Sequence, residues 1–214
     1  ISWVLVAAHS STLFFTSVTL FSTNPFRYLQ VPVVPADGNG LNPLLQNPYM
    51  AIHPPMLYAG FTLFAIPFAF CLGALVSGNL SNEWIMKTRR WTLIAWGFLT
   101  VGITLGGHWA YLELGWGGFW AWDPVENSSF LPWLTGTAFL HSVMIQERKQ
   151  MLRFWNVWLI GLTYGLTVFG TFLTRSGIVQ SIHAFASTDI GWLFLLYLGG
   201  LVITLSWLSW LRRN

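Results

Sequence analysis

The chain has 214 residues, of which 54% are apolar, 17% aromatic and only 8% charged, against roughly 25% charged in an ordinary soluble domain. This composition, with 14 tryptophans, indicates a membrane domain, whose aromatic rings gather at the water boundary. The ten basic residues exceed the seven acidic ones by three and are scattered, so nucleic acid is excluded as a partner. The single cysteine, Cys71, excludes a disulfide framework and a metal-thiolate cluster.

Six apolar stretches are long enough to cross a membrane, whose core about 30 Å thick needs roughly 20 residues of helix. The sequence therefore predicts an all-α integral membrane protein, a bundle of six transmembrane helices that forms one domain over residues 1–214. Because the chain starts in an apolar run without Met, we expect it to be an excerpt of a longer protein. The predicted spans are Ile1 to Phe21, Pro54 to Val76, Trp91 to Gly107, Pro124 to Ile145, Phe154 to Leu173 and Ile190 to Leu211.

The basic residues between the spans predict the orientation. Only Arg27 and Arg175 fall on the side opposite to the other basic residues, so the positive-inside rule places both chain ends in the cytoplasm of a bacterial inner membrane, or the equivalent side of a mitochondrial one. Residues 22–53, 108–123 and 174–189 then face outward. The basic residues predicted to lie inside are Lys87, Arg89, Arg90, Arg148, Lys149, Arg153, Arg212 and Arg213.

The middle outward segment, residues 108–123, is rich in rings. Seven of its sixteen residues carry aromatic or imidazole rings and three are glycines. We interpret Trp109 and Tyr111 as interfacial anchors. Glycine lets a backbone turn tightly or approach a flat object closely, so the rest of the loop is predicted to wall a planar, largely apolar ligand. The residues of this predicted platform are Trp116, Gly117, Gly118, Phe119, Trp120, Trp122 and Asp123.

The end of this segment also predicts how span four begins. Asp123 is a good N-cap, Pro124 suits the first helical position, and Glu126 at the third position completes a capping box. We therefore assign the two carboxylates to the helix start, and treat a catalytic carboxylate pair as the weaker interpretation.

Two histidines flank the loop in sequence. His53 precedes the pair Pro54 and Pro55, which suits a first helical turn, so His53 is predicted at the outer mouth of span two. His183 lies in the third outward segment. A lone histidine there is usually a surface residue, but two at one membrane face indicate axial ligands that hold a haem from both sides. Arg175 is a candidate partner of a haem propionate, or else an interfacial anchor.

Two further histidines are predicted at membrane depth, where an ionisable group is expensive and is a functional candidate by default. For His141 we favour a metal ligand. For His9 we favour a hydrogen bond between helices.

Three motifs together resemble a known family. Trp116-Gly-Gly-Phe-Trp-Ala-Trp-Asp-Pro-Val-Glu-Asn127 resembles the tryptophan-rich WWD signature of haem-handling membrane proteins, with Phe119 where many members have tryptophan. His53-Pro-Pro-Met-Leu-Tyr58, and Thr174-Arg-Ser-Gly177 leading to His183-Ala-Phe185, are similar to the CcmF/NrfE-type branch, the haem lyase subunit of system I cytochrome c maturation. The resemblance extends over essentially all 214 residues.

The resemblance implies a covalent attachment reaction. Haem from a CcmE-type haem chaperone would dock on the tryptophan loop between His53 and His183, and its vinyl groups would be joined to the Cys-x-x-Cys-His thiols of apocytochrome c, presented by CcmH/CcmI-type thioreduction subunits. It also implies a haem b in the membrane, with His141 as one ligand and the other beyond residue 214. His108 is not a family ligand, and we expect it to order the loop by hydrogen bonding.

Three alternatives stay open at this point. A CcmC-like loader of the chaperone shares the spans and the loop, but the Asp-Pro-Val-Glu-Asn continuation, the His-Pro-Pro-Met-Leu-Tyr run and His141 favour the lyase. A haem or small-molecule transmembrane transporter would place its polar groups near the midplane, whereas here they gather at one face. A plain electron-transfer subunit would use His9 and His141 as its ligand pair.

Overall fold

The computed structural model describes residues 1–28, 33, 36–38, 40–181 and 190–213. All the regular structure in these ranges is helical. A π-helical turn, Val18–Ser22, extends the first helix, and a 3-10 turn, Pro43–Leu45, precedes the second. The α-helices are α1 (Ser2–Ser17), α2 (Pro48–Leu63), α3 (Ala65–Ser77), α4 (Glu83–Glu113), α5 (Pro124–Lys149), α6 (Arg153–Ser176) and α7 (Gly191–Leu211).

The prediction of an all-helical membrane protein is confirmed, and five helical stretches of the described chain are long and apolar enough to cross a membrane. The fourth predicted span, now α5, is long enough at 26 residues but is more polar, because serines, threonines and His141 interrupt its apolar run. The count of six therefore stays a prediction. The five stretches are Ser2–Ser22, Pro48–Ser77, Glu83–Glu113, Arg153–Ser176 and Gly191–Leu211.

The predicted start of span two is wrong by six residues. Helix α2 begins at Pro48, so Pro54 and Pro55 lie inside it and His53 is in its second turn. The cap is Asn47, whose side-chain oxygen accepts a hydrogen bond from the backbone N–H of Tyr49 at 2.9 Å. An asparagine followed by proline is a local helix-start signal, and it takes precedence over the later proline pair.

The predicted loop 108–123 is also too long. Helix α4 continues for 31 residues to Glu113, so His108, Trp109 and Tyr111 are helical and the connection to α5 is residues 114–123 only. We call residues 114–123 the tryptophan loop. Helix α6 likewise continues to Ser176 and includes Arg175 in its last turn.

Helices α2 and α4 pack closely enough to bring their backbones together. An added Cβ at Gly102 of α4 would lie 2.7 Å from the backbone nitrogen of Leu57 in α2, so only glycine fits there. Small residues at helix interfaces permit this approach within membranes. The packing also fixes which residues of the two helices face each other near the tryptophan loop. The largest fully buried apolar side chains of the bundle are Phe64, Phe139, Leu75, Ile85, Leu99 and Ile160.

The opposite end of the bundle is held by polar contacts. Gln146 donates to Asn82 at 3.2 Å and accepts from Asn156 at 2.8 Å. Arg212 donates to the carbonyl oxygens of Leu75 and Val76, near the end of α3, at 2.9 and 2.6 Å. A cation is favourable at a helix C-terminus, so this arginine fastens α7 to α3.

Candidate functional site

His53 lies on α2 with its ring against α4. Its Nδ1 is 2.6 Å from the carbonyl oxygen of Gly102. Because a carbonyl oxygen only accepts, Nδ1 carries the proton, and in the neutral ring the lone pair belongs to Nε2. The side chain is half-buried. The contact with α4 therefore selects both the tautomer and the orientation of this imidazole.

Gly106, one turn after Gly102, makes room for the ring. An added Cβ there would lie 2.5 Å from Cε1 and 2.7 Å from Nδ1 of His53, well inside the 3.5–4.0 Å of a normal van der Waals contact. The imidazole therefore occupies the space that any other residue at position 106 would fill.

His53 meets the tryptophan loop at a small cavity of about 50 Å³. Trp120 of the loop and Glu126 of α5 line the same cavity. The sequence singled out His53 and Trp120 separately, and the structure brings them together. The remaining lining residues are Leu57, Ile103, Gly106, Gly107, Val125 and Ser129.

The tryptophan loop has a defined backbone shape. Gly115 and Gly117 have φ of +69° and +75°, a region that suits glycine. Between them, Trp116 donates its indole N–H to the carbonyl of Gly118 at 2.7 Å. Trp122 also has a positive φ, +61°, which costs a residue with a Cβ about 1–2 kcal/mol. The loop presents an apolar surface: the side chains of Trp122, Phe119 and Trp116 are 71%, 55% and 40% exposed.

Side-chain rings of α4 pack against the tryptophan loop. Phe119 stacks on Tyr111 with centroids 4.5 Å apart and planes at 9°. His108 lies 6.3 Å from Phe119 and meets Tyr49 edge to face at 4.4 Å. His108 therefore contacts the loop through its ring, where we expected a hydrogen bond.

Trp109 is not an interfacial anchor. It is only 4% exposed, and its indole N–H donates to the carbonyl of Leu44 at 3.0 Å. The neighbouring contact from the side-chain amide of Asn47 to Glu113, at 2.7 Å, also joins α2 to α4. These bonds fasten the segment before α2 to the end of α4, beside the site.

The predicted capping box at the start of α5 is confirmed. The Asp123 carboxylate accepts from the backbone N–H groups of Val125 and Glu126 at 3.0 and 3.4 Å. The Glu126 carboxylate, which is buried, accepts from the backbone N–H groups of Ala121 and Asp123 at 2.9 and 3.3 Å. Glu126 therefore shapes the tryptophan loop as well as capping the helix.

Asp123 also holds the segment that follows α6. The hydroxyl of Ser181 donates to the Asp123 carboxylate at 2.7 Å. His183, the second predicted axial ligand, lies outside the described residues. Arg175, the propionate candidate, is exposed in the last turn of α6. The hydrogen bond thus joins the chain two residues before His183 to the end of the tryptophan loop.

We expect Asp123→Ala to destabilise this end of the bundle. The variant loses the N-cap, worth about 1 kcal/mol, and the acceptor for Ser181. Limited proteolysis of the protein in detergent should therefore cut faster near residues 177–181, and thermal unfolding should begin earlier. Asp123→Asn keeps an acceptor oxygen and is the matched control. Equal behaviour of the two variants would contradict the assigned role.

His141 lies in the second half of α5. Its Nδ1 donates to the carbonyl of Thr137 at 2.8 Å, one turn earlier, and the side chain is exposed on the surface of the described bundle. His9 on α1 makes the same kind of bond to Leu5 at 2.7 Å. Among the described residues, the hydrogen bond that His9 makes is within its own helix, and the predicted bond between helices stays a prediction.

Comparison with known proteins identifies the family. A sequence model described as "Cytochrome C assembly protein" matches residues 1–180. The chain belongs to the cytochrome c assembly protein family. Within it, the chain is similar to proteins named CcmF and NrfE.

Curated relatives carry names from cytochrome c biogenesis. The chain is 50% identical over 177 residues to "Cytochrome c-type biogenesis protein CcmF" of Pseudomonas aeruginosa, which covers 83% of this chain and 27% of the relative. It is 48% identical over 195 residues to the Escherichia coli CcmF, covering 91% and 30%. The NrfE protein of Haemophilus influenzae is 46% identical over 172 residues, covering 80% and 27%.

A solved structure has the same fold. The chain matches "Cytochrome c Heme Lyase CcmF" with a TM-score of 0.78 and 37% identity, over 97% of this chain and 31% of that one. The chain thus spans about a third or less of the length of these relatives. The described site therefore corresponds to one part of each of these longer relatives.

Sequence reasoning missed the glycines of α4. Gly102 and Gly106 are four residues apart, the spacing of small residues at a membrane helix interface, and that signal was present in the run Gly102-Ile-Thr-Leu-Gly-Gly107. What the sequence did not indicate was that the facing residue on α2 is a histidine.

Proposed function

We propose that this chain is the haem-handling part of a cytochrome c haem lyase subunit. It holds haem at the tryptophan loop while the vinyl groups are joined to the thiols of apocytochrome c. The observation that carries the proposal is the meeting of His53 and Trp120 at one cavity, with Nδ1 of His53 committed to the Gly102 carbonyl. An imidazole oriented in this way by an outer hydrogen bond is typical of a metal ligand.

The residues present fit a haem. A cavity of about 50 Å³ is too small for a macrocycle, so the haem would lie outside it against the exposed rings of Phe119, Trp116 and Trp122, with His53 as an iron ligand. Aromatic faces and glycine turns suit such a flat apolar ligand. The remaining platform residues are Gly117, Gly118, Trp120 and Asp123.

We propose His183 as the second axial ligand. The hydrogen bond from Ser181 to Asp123 supports this assignment, since it fastens the preceding chain beside the loop. Arg175 would pair with a propionate, because its planar fork suits a carboxylate.

We propose His141 as one ligand of a haem b inside the membrane, with the other ligand beyond residue 214. An exposed imidazole at this depth is costly in lipid, so a partner that covers it is expected. The carbonyl of Thr137 holds Nδ1–H and leaves Nε2 as the metal-binding nitrogen. When bound there, this haem would supply one-electron redox chemistry for the substrate iron.

The catalytic contribution of the chain is orientation. The haem vinyl groups and the cytochrome thiols supply the reacting atoms. His53 holds the iron, the exposed rings set the tilt of the disc, and Glu126 keeps the loop backbone in place. Holding two reactants at reacting distance is worth up to about 7–11 kcal/mol. One axial histidine would then be displaced by the histidine of the cytochrome.

The partners follow from this role. A haem chaperone delivers the substrate, and thioreduction and presentation subunits bring apocytochrome c to the loop. The tryptophan loop would face the periplasm of a bacterial inner membrane, or the corresponding side in mitochondria, with both ends of this segment in the cytoplasm. Residues 1–214 would act as one domain, surrounded by membrane lipid and by the rest of the protein.

The test is Gly106→Ala in the complete maturation system. Its methyl group would displace the His53 ring from the Gly102 carbonyl, so haem binding at the loop should weaken about 10- to 100-fold, the range typical when the support of a ligand is lost. Absorption spectra of the purified protein and the yield of covalent cytochrome c measure it. Gly97→Ala in the same helix, where nothing lies within 4 Å, is the control. Wild-type haem content in Gly106→Ala would refute the proposed site.

A further inference from the structure

Two helical turns with the same sequence pattern face each other in the middle of the bundle. Trp96 and Thr100 lie on α4, and Trp133 and Thr137 lie on α5, each pair with three residues between them. Trp96 donates its indole N–H to the Thr137 hydroxyl at 2.8 Å, and Trp133 donates to the Thr100 hydroxyl at 2.8 Å. The two indoles stack, with centroids 5.7 Å apart and planes at 26°.

The two threonine hydroxyls also donate hydrogen bonds. Thr100 donates to the carbonyl of Trp96 at 2.8 Å, and Thr137 donates to the carbonyl of Trp133 at 2.7 Å. Each hydroxyl therefore accepts from the other helix and donates to its own. Indole N–H groups within a membrane need such partners, because no water is there to replace them. We call these four residues the tryptophan–threonine interlock.

The interlock lies between the two proposed haem sites. Towards the tryptophan loop, Trp133 stacks on Phe130 at 5.5 Å, and Phe130 meets Trp120 at 5.9 Å. In the other direction, the carbonyl of Thr137 accepts the Nδ1–H of His141 at 2.8 Å. One set of contacts thus connects a platform ring with a proposed iron ligand.

We infer that the tryptophan–threonine interlock is the positioning element for His141 and Trp120. Rotation of α5 by one residue turns its side chains by about 100°, so the register of α5 against α4 decides where His141 points. It also decides where Phe130, the α5 ring that contacts Trp120 of the loop, is placed. Two reciprocal hydrogen bonds between the helices, from Trp96 to Thr137 and from Trp133 to Thr100, fix that register, which apolar contacts alone specify poorly. The inference rests on the proposed role of His141 as an iron ligand, and its four members are positioning residues.

Thr137→Val tests the inference, because valine nearly keeps the shape of threonine and removes the hydroxyl. In the purified protein the membrane haem should be held about tenfold less tightly, at the lower end of the effects of outer-shell changes. Its optical and electron paramagnetic resonance spectra and its reduction potential should shift. Thr137→Ser keeps the hydroxyl, so both spectra and the reduction potential should be those of the wild type. Thr104→Val is the control, since the one bond of that hydroxyl among the described residues is to the Thr100 carbonyl of its own helix.

A double-mutant cycle makes the test specific. Trp96→Phe keeps a ring for stacking but removes the same hydrogen bond, so combining it with Thr137→Val should add little to either change, as expected of residues in one contact. Trp96→Phe alone also tests the inference if the Thr137→Val protein does not accumulate in the membrane. A haem spectrum in both single variants equal to that of Thr104→Val, while His141→Ala removes it, would overturn the inference alone. Retention of the haem in His141→Ala would overturn the proposed ligand and the inference together.

Discussion

His141→Ala is expected to remove the membrane haem spectrum completely and to stop cytochrome c maturation. Loss of an axial ligand should exceed the roughly 10- to 100-fold effect typical of outer-shell partners. The bundle should still fold, because the imidazole is exposed and its only described bond is to the Thr137 carbonyl of its own helix. Absorption spectra of the oxidised and reduced protein, with the yield of covalent cytochrome, measure the effect.

His9→Ala is the matched control for this variant. His9 is also exposed and also bonds a carbonyl four residues earlier, that of Leu5, so the two variants remove the same local interaction. Only the His141 variant should lose haem. Loss of haem in His9→Ala would favour the electron-transfer alternative, in which these two residues form the ligand pair. If His141→Ala lost the membrane haem but cytochrome c matured normally, the haem b would have no role in the attachment reaction.

His53→Ala is expected to abolish haem retention at the tryptophan loop while leaving the membrane haem in place. The variant removes the proposed iron ligand and the contact with Gly102, but helices α2 and α4 keep their close approach at Gly102 and Leu57. Haem transfer from the loaded chaperone to the protein, followed in membranes by absorption spectroscopy, measures the loss.

Added imidazole separates ligation from packing in this variant. The substitution leaves a hole of the shape of the ring, so exogenous imidazole should restore haem retention at the loop in His53→Ala and have little effect on the wild type. A variant that binds haem normally would show that His53 is not a ligand. A variant whose loss is unaffected by imidazole, while its loop becomes sensitive to protease, would assign His53 a purely structural role.

Sequence signals predicted local structure correctly where the interacting residues are close together in the chain. The cap formed by Asp123 and Glu126 was predictable, because both partners lie within one turn of α5. The start of α2 was misplaced since two proline signals compete, and Asn47 with Pro48 prevails over Pro54. The length of α4 was underestimated because polar and aromatic residues after Gly107 look like loop, although Trp109 and Tyr111 find partners.

The sequence by itself determined the membrane class, the helical fold, the position of the tryptophan loop and the residue types that suit haem. Only the tertiary structure decided that His53 is bonded to Gly102, 49 residues away, that Gly106 must lack a side chain, and that Trp96 and Trp133 exchange hydrogen bonds with threonines across two helices. The physical reason is that a helix whose polar and apolar residues are not separated onto two sides, such as α4 or α5, carries no periodic pattern that specifies its rotation. Which faces meet is settled by close packing and by polar groups that must find partners away from water.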